Sequence, residues 1–335
     1  MRLIYDQIEF FKAYKISIDE FVEHNLVWSD YIEIYEDYLN QISSLESTAS
    51  SIADILRKNQ DAHSVKSRVK DPEHLIEKIL RKTFKNKKED SSYQININNY
   101  KTEVTDLIGI RVLHLYKDQA FSIDKTIREM WDLHEKATIY YREGDFNSTT
   151  EDDELFQFSV HPAGYRSWHY LINSRLTREL HIVEIQVRTI FEEGWSEIDH
   201  QLRYPYDLDN EVLNEQLLVL NRISGGADEL VNSILHTKMS ITELNYENKK
   251  RENKIQELLD EISNLSVGRE IDAADKKSLE DKVKQLEGTL SFNYLDYVRK
   301  GKNLIVTGNL QTSESSGISR LFNTSKVVFT PSPKE

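Results

Sequence analysis

The chain has no cysteine in its 335 residues. Disulfides, thiol nucleophiles and cysteine-ligated zinc are therefore excluded. Long apolar runs are missing as well. No stretch approaches the roughly 20 residues that a membrane-spanning helix needs. The N-terminus, MRLIYDQIEFFKAYKISIDEF, is amphipathic and charged, without the apolar centre of a secretory signal. A soluble cytoplasmic protein with no membrane partner is expected. A net positive charge is also absent: 57 Asp/Glu against 43 Lys/Arg give a formal net charge of −14, which opposes general affinity for nucleic acid. That deficit is uneven, because residues 57–88 carry eleven Lys/Arg against four Asp/Glu. Such a segment is either a local phosphate site or a solvated lysine-rich helix.

What is present suits about two domains by length, and a hydrophobic content of 39% is enough for a real core. Apolar residues from Phe21 to Leu56 recur at three- and four-residue intervals, predicting helix over about 18–58. A second helix should start at Pro72, capped by Asp71, and reach about Phe84. The Asn-rich stretch 86–103 and the acidic 143–154 read as loops. Strands are expected at 106–116, 136–142, 155–160, 167–173 and 180–187, with helices at 122–133 and 189–202. This is an α+β pattern: a mixed sheet of about five strands flanked by helices. From Leu230 to Leu265 a heptad can be written, with Ile234, Ile241, Asn248, Ile255 and Ile262 at one seam position. Leu230, Thr237, Leu244, Arg251, Leu258 and Leu265 hold the other. Ile opposite Leu with one seam Asn predicts a parallel coiled coil and a homo-oligomer through 230–265; a helical hairpin within one chain is the alternative. The expected organisation is an N-terminal helical segment (1–60), a core domain (61–207), a helical region (208–290) and a tail of short strands (291–335).

Four clusters carry chemistry. In SVKSRVKDPEHLIEKILRK (64–82), Arg68, Lys70, Lys78, Arg81 and Lys82 flank a helix start, where anions are favoured. Asp106, Gly109 and Arg111 open a strand. His161, Gly164, Tyr165 and His169 surround a tight turn entering another. In HIVEIQVRT (181–189), Glu184, Gln186 and Arg188 share one parity while Val183, Ile185 and Val187 share the other. One strand face is thus core, and its reverse carries an acid, an amide and a guanidinium, with His200 one helix later. Taken singly, each cluster has a structural account: a capping Asp, a turn aromatic, a packed histidine.

Together and in this order they resemble the synthetase domain of the RelA/SpoT family, which makes the alarmone nucleotides (p)ppGpp. RVKDPEHLIEKILRK is similar to the family's R-x-K segment, VTDLIGIRV to its D-x-x-G-x-R strand, AGYRSWH to N-G-Y-x-S-L-H and VEIQVRT to E-x-Q-x-R-T. The resemblance spans roughly residues 20–205. It implies a nucleotidyltransferase-like fold and transfer of the β,γ-diphosphate of ATP to the 3′-hydroxyl of GTP or GDP. By the same resemblance Arg68 and Arg111 would sandwich adenine, and Lys70 and Lys78 would hold ATP phosphates. Asp106 and Glu184 would hold Mg²⁺, Glu184 also drawing the proton from the acceptor hydroxyl. Tyr165 would stack on the acceptor base, and His169, Gln186 and Arg188 would orient oxygens. Two positions depart from the pattern: His161 replaces the usual Lys among the nucleotide-binding positions, and Ala163 replaces an Asn that reads guanine. The departures leave open tRNA 3′ CCA ends or adenine nucleotides as acceptor, tRNA being disfavoured by charge. A weakly catalytic nucleotide sensor acting through its coiled coil is a third possibility. The family's paired His-Asp hydrolase signature is missing, so synthesis without degradation is expected.

Overall fold

The computed structural model describes residues 3–143, 154–161, 163–203, 210–268 and 273–290. A first compact unit comprises Met1–Asp228 and a second Glu229–Glu335. The first is built on six strands: β1 (Ser64–Val69), β2 (Ile108–His114), β3 (Ala137–Tyr141), β4 (Phe156–Val160), β5 (Ser167–Ser174) and β6 (His181–Thr189). They are ordered β1-β2-β6-β5-β3-β4 in one mixed sheet, with β2–β6 and β3–β4 parallel and the other pairs antiparallel. β6 lies inside, hydrogen-bonded on both edges. The strand missing from the expected five is β1. Its signal was alternation, Val65 and Val69 against Lys66 and Arg68, masked by the basic residues that dominate its composition.

One face of the sheet is core. Ile108, Ile110, Val112, Val183, Ile185 and Val187 are all buried, as are Tyr170 and Ile172 on β5. Each such side chain contributes about 1.5–3 kcal/mol of transfer free energy. Against this face lie α3 (Trp28–Leu56), on β1 and β2, and α6 (Gln119–Met130), on β6. The helix expected over 18–58 is two helices. α2 (Ile18–Glu23) stops where Asn25 takes φ 51°, a left-handed conformation that ends regular helix, and α3 begins at Trp28. Before them, α1 (Gln7–Ala13) is capped by Asp6 and buries Phe10 and Phe11.

α4 (Pro72–Lys87) starts as expected, Asp71 accepting from the Glu73 and His74 amides at 2.9 and 3.1 Å, and runs one turn past Phe84. The stretch 86–103 contains a short helix, α5 (Tyr100–Glu103). α7 (Ile190–Arg203) follows β6 and lies against β6 and β2. α8 runs unbroken from Glu211 to Gly268, 58 residues or about 87 Å, and α9 spans Ala273–Leu290. Trp195 on α7 is buried, its indole N–H donating to the Leu217 carbonyl on α8 at 3.0 Å. The expected tail strands at 291–335, and nearly all of the acidic loop 143–154, lie outside the described residues. Among the described residues no helix is long and apolar enough to cross a membrane.

His114, at the end of β2, is buried, and its Nδ1 lies 2.9 Å from the Tyr116 carbonyl. Burial drives its pKa down to about 4 from 6.5. The unfolded chain therefore takes up the proton first on acidification. Stability from this residue is complete above pH 6.5 and is lost as pH falls towards about 4, on the order of 3 kcal/mol in all. Urea denaturation at pH 7 and pH 4.5 should show that slope in the native protein and a shallower one in His114→Gln.

Candidate active site

Strand register aligns the polar residues into two rows on the face opposite the core. Lys66, Arg111, Gln186, His169 and Thr138 are successive cross-strand partners in one row; Arg68, Gly109, Glu184 and Leu171 form the next. Arg188 continues β6 two residues further. Pairing side by side keeps each row on one face. The sequence clusters of β1, β2, β5 and β6 therefore meet on one surface.

At one end, Asp106 lies two residues before the start of β2. Its Oδ2 accepts from Lys70 Nζ at 2.7 Å and Lys78 Nζ at 2.8 Å, Lys70 coming from the end of β1 and Lys78 from α4. Burial alone would raise this carboxyl, but the two ammonium groups outweigh it and hold its pKa below the ordinary range. Its Oδ1 is buried without a hydrogen-bond partner. Glu184 is close enough for the charge of Asp106 to act on it. Burial pushes the Glu184 carboxyl up; His169 and the Gln186 amide, which donates to Oε2 at 2.8 Å, bring it below its ordinary value. Both acids are thus ionised at neutral pH. An orphaned carboxylate oxygen beside a second carboxylate suits a hard divalent cation. Among the described residues no cluster of three or more His, Asp or Glu side chains forms a closed metal cage. Such a pair fits an ion that completes its shell with phosphate and water.

Arg68 is exposed and lies across Gly109, where a Cβ would stand 3.3 Å from its Nε. Gly109 lets Arg68 lie close against the strand; a Cβ there would push its side chain away by a few tenths of an ångström. Arg111 pairs instead with Glu193, at 3.3 Å, and with Glu197, both from α7. The basic cluster of residues 64–82 divides: Arg81 pairs with Glu77 and donates to the Tyr14 carbonyl at 2.7 Å, and Lys82 binds Glu103. These two serve the fold rather than the polar face.

At the other end the side chains form a continuous hydrogen-bonded chain. Arg188 Nη1 donates to the Tyr165 hydroxyl at 3.2 Å, and that hydroxyl lies 2.9 Å from His169 Nε2. His169 Nδ1 faces Glu184 Oε1 at 3.5 Å. A proton on Nδ1 leaves Nε2 to accept from Tyr165, giving a line from guanidinium to carboxylate. Tyr140, which the sequence reading did not single out, closes the aromatic wall: its ring centroid is 4.8 Å from that of His169 and 6.0 Å from that of His161. Its parity with Thr138 was the available signal. His161 turns onto its own loop, Nδ1 accepting from the Ala163 amide at 3.3 Å. His200 is exposed on α7, near enough for its charge to act on Glu197.

Arg188 itself is 2% exposed and is neutralised by Glu193, 2.7 Å away, while Ser196 Oγ accepts from it at 2.8 Å. Glu193 also draws in Lys66 at 3.5 Å. It was not anticipated, because an acid in the first turn of a helix reads as a favourable helix-end charge. Arg188→Met should leave a buried carboxylate without its nearest cation, costing roughly 3–5 kcal/mol. Thermal unfolding should show most of that loss restored in Arg188→Met/Glu193→Met, and an additive loss in the double variant would contradict the pairing.

The sequence model described as a region found in RelA/SpoT proteins matches residues 67–209. The GTP pyrophosphokinase YwaC of Bacillus subtilis (strain 168) is 24% identical over 209 residues, covering 60% of this chain and 87% of that protein. A GTP pyrophosphokinase family protein from Streptococcus pneumoniae is 21% identical, with TM-score 0.42 over 61% of this chain and 92% of its own. Small alarmone synthetase 1 from Bacillus subtilis, bound to its product pppGpp, is 18% identical, with TM-score 0.38 over 63% of this chain and 98% of its own. Arg68, Lys70, Lys78, Asp106, Arg111, His161, Tyr165, His169, Glu184, Gln186 and Arg188 all fall inside the segment that matches the region found in RelA/SpoT proteins.

Proposed function

We propose that the polar face transfers the β,γ-diphosphate of ATP to the 3′-hydroxyl of GTP or GDP. The observation that carries this reading is the convergence of Lys70, Lys78, Asp106 and Glu184 at one end of the face with Tyr165, His169 and Arg188 at the other. Diphosphate transfer needs cations, an ionised carboxylate and in-line placement more than covalent help. The acceptor 3′-oxygen bonds to the β-phosphorus, the bond from that phosphorus to the α,β-bridging oxygen breaks, and AMP leaves. The hydroxyl proton passes to Glu184, kept ionised by its surroundings. Lys70 and Lys78 exchange Asp106 for phosphate oxygens, and Arg68 flanks adenine, joined by Arg111 once it leaves Glu193 and Glu197. Asp106 and Glu184 would hold Mg²⁺, which supplies charge neutralisation for the phosphates when bound. Tyr165 offers a ring to the acceptor base, Gln186 directs oxygens, and the buried Arg188 acts through the Tyr165 hydroxyl. YwaC is a GTP pyrophosphokinase, and the segment matching the RelA/SpoT region contains every residue named here.

Ala163 presents no side-chain hydrogen bond to a base edge, and His161 is engaged with its own turn. Guanine discrimination therefore rests on fewer contacts, which keeps adenine nucleotides and tRNA 3′ ends as acceptors to be tested. γ-³²P-ATP and Mg²⁺ with GDP, GTP, ADP or deacylated tRNA, resolved by thin-layer chromatography, should show label on the guanine nucleotides. Glu184→Gln should lower the rate by at least about 100-fold. Label on tRNA or adenine nucleotides alone would keep the chemistry and replace the acceptor. No transfer to any of them would overturn the reading in favour of a nucleotide sensor.

We also propose that Leu230–Leu265 pairs with a second copy of the chain. The seam residues Leu230 and Ile234 are 62% and 58% exposed, an apolar stripe whose Ile/Leu layers and Asn248 complement a copy of themselves. Ile255, further along, is buried. Light scattering should give a dimer mass for the full chain and a monomer mass for Ile234→Asp/Ile241→Asp. A monomeric native chain would favour the intramolecular hairpin.

A further inference from the structure

The first turns of α8 lie beyond residue 209, outside the family segment, and apart from Leu217 their buried side chains are polar. Asn221 is 1% exposed, Asp228 is 3% exposed, and Ser224 lies between them. Buried polar side chains at this spacing sit on one side of a helix and require partners. Those partners are at the acceptor end of the site. Asn221 Nδ2 donates to the Gly164 carbonyl at 2.9 Å. Gly164 has φ +74°, and a Cβ there would stand 2.9 Å from Asn221 Oδ1 and 3.2 Å from Arg142 Cγ. The turn that delivers Tyr165 is therefore held in a left-handed conformation and closed over by α8. One helical turn on, Gly225 leaves room for Arg166: a Cβ would lie 2.5 Å from its Nη2. Arg166 in turn pairs with Glu192 on α7. At the next turn, Asp228 Oδ2 accepts from Thr189 Oγ1 at 2.8 Å, and the same hydroxyl accepts from the Glu192 amide at 3.2 Å. Asp228 thereby fixes the residue after Arg188 and the cap of α7.

We infer that Asn221, Gly225 and Asp228 are positioning residues for the acceptor side of the site. They act through Gly164, Arg166 and Thr189 on Tyr165 and Arg188, the first two members of the hydrogen-bonded chain that reaches Glu184 through His169. This rests on the proposed transfer reaction, and it adds α8 to the machinery of a domain whose family segment stops before that helix begins. ATP is held by β1, β2 and α4, which α8 does not touch through these three residues. The effect should therefore be confined to the acceptor.

Asn221→Asp in the full chain keeps the shape and places a carboxylate oxygen where the donor faced the Gly164 carbonyl. The acceptor KM should rise about tenfold, the scale of one lost buried hydrogen bond, with the KM for ATP changing less than about twofold. Amide hydrogen exchange in residues 161–170 should accelerate, while exchange in β2 and α4 stays unchanged. Gly225→Ala, whose Cβ meets only the flexible end of Arg166, provides a second variant if the first folds poorly, with the same direction and a smaller size. Unchanged acceptor KM and unchanged exchange would overturn the inference. So would a parallel rise in both KM values, the mark of general loosening. Should the native chain transfer nothing to any acceptor, the proposed reaction fails separately, and the exchange measurement alone decides whether α8 orders the turn.

Discussion

A guanidinium that is 2% exposed must be neutralised where it stands, and the ion pair between Arg188 and Glu193 does this. The pair has one partner on the central strand and the other on the helix that follows it, so it fixes how α7 leaves the sheet. Once α7 is placed, Glu193 and Glu197 also receive Arg111, and Trp195 reaches the Leu217 carbonyl on α8. A single requirement for charge compensation thus sets the entry of two helices and the spacing of three cations. The same arrangement keeps the face from being overwhelmingly positive before any anion arrives. Acidic helix residues hold the arginines, and Asp106 holds the lysines.

That balance gives the two ends of the face different characters. Around Asp106 the cations are lysines on flexible stems, and a phosphate can take them over from the carboxylate with little rearrangement. Around Tyr165 the groups are aromatic or planar and are hydrogen-bonded in sequence, so their geometry is largely set in advance. One end is suited to capturing a mobile polyanion, and the other to holding a hydroxyl against Glu184. A ligand at the first end competes with internal ion pairs. A ligand at the second end meets a surface already organised.

Much of this was legible in the sequence. Alternation in HIVEIQVRT gave both the buried face and the working face of β6, and Asp71-Pro72 marked the start of α4 to the residue. The six-strand sheet exceeded expectation by β1 because its alternation was read as charge rather than as parity. The break at Asn25 was hidden for a different reason: apolar spacing continues across it, and only a left-handed backbone reveals the stop. The roles of Glu193, Asn221 and Asp228 could not be read at all. Their partners lie far along the chain, at Arg188, Gly164 and Thr189, and an isolated acid or amide on a helix has no local signature of what it will meet. Tyr140 is intermediate, visible by parity once its strand is known to neighbour β5.

The pleat of β6 also determines which genetic changes the domain can absorb. Substitutions at Glu184 or Gln186 alter the working face and leave the buried Val183, Ile185 and Val187 in place, so new chemistry can be explored without loss of the core. Inserting or deleting one residue within 181–189 would exchange the two faces over part of the strand, setting polar side chains such as Glu184 or Gln186 into the interior and valines into the site. A change in the length of this strand therefore disrupts core and site together, whereas a replacement along its working face disturbs the site alone.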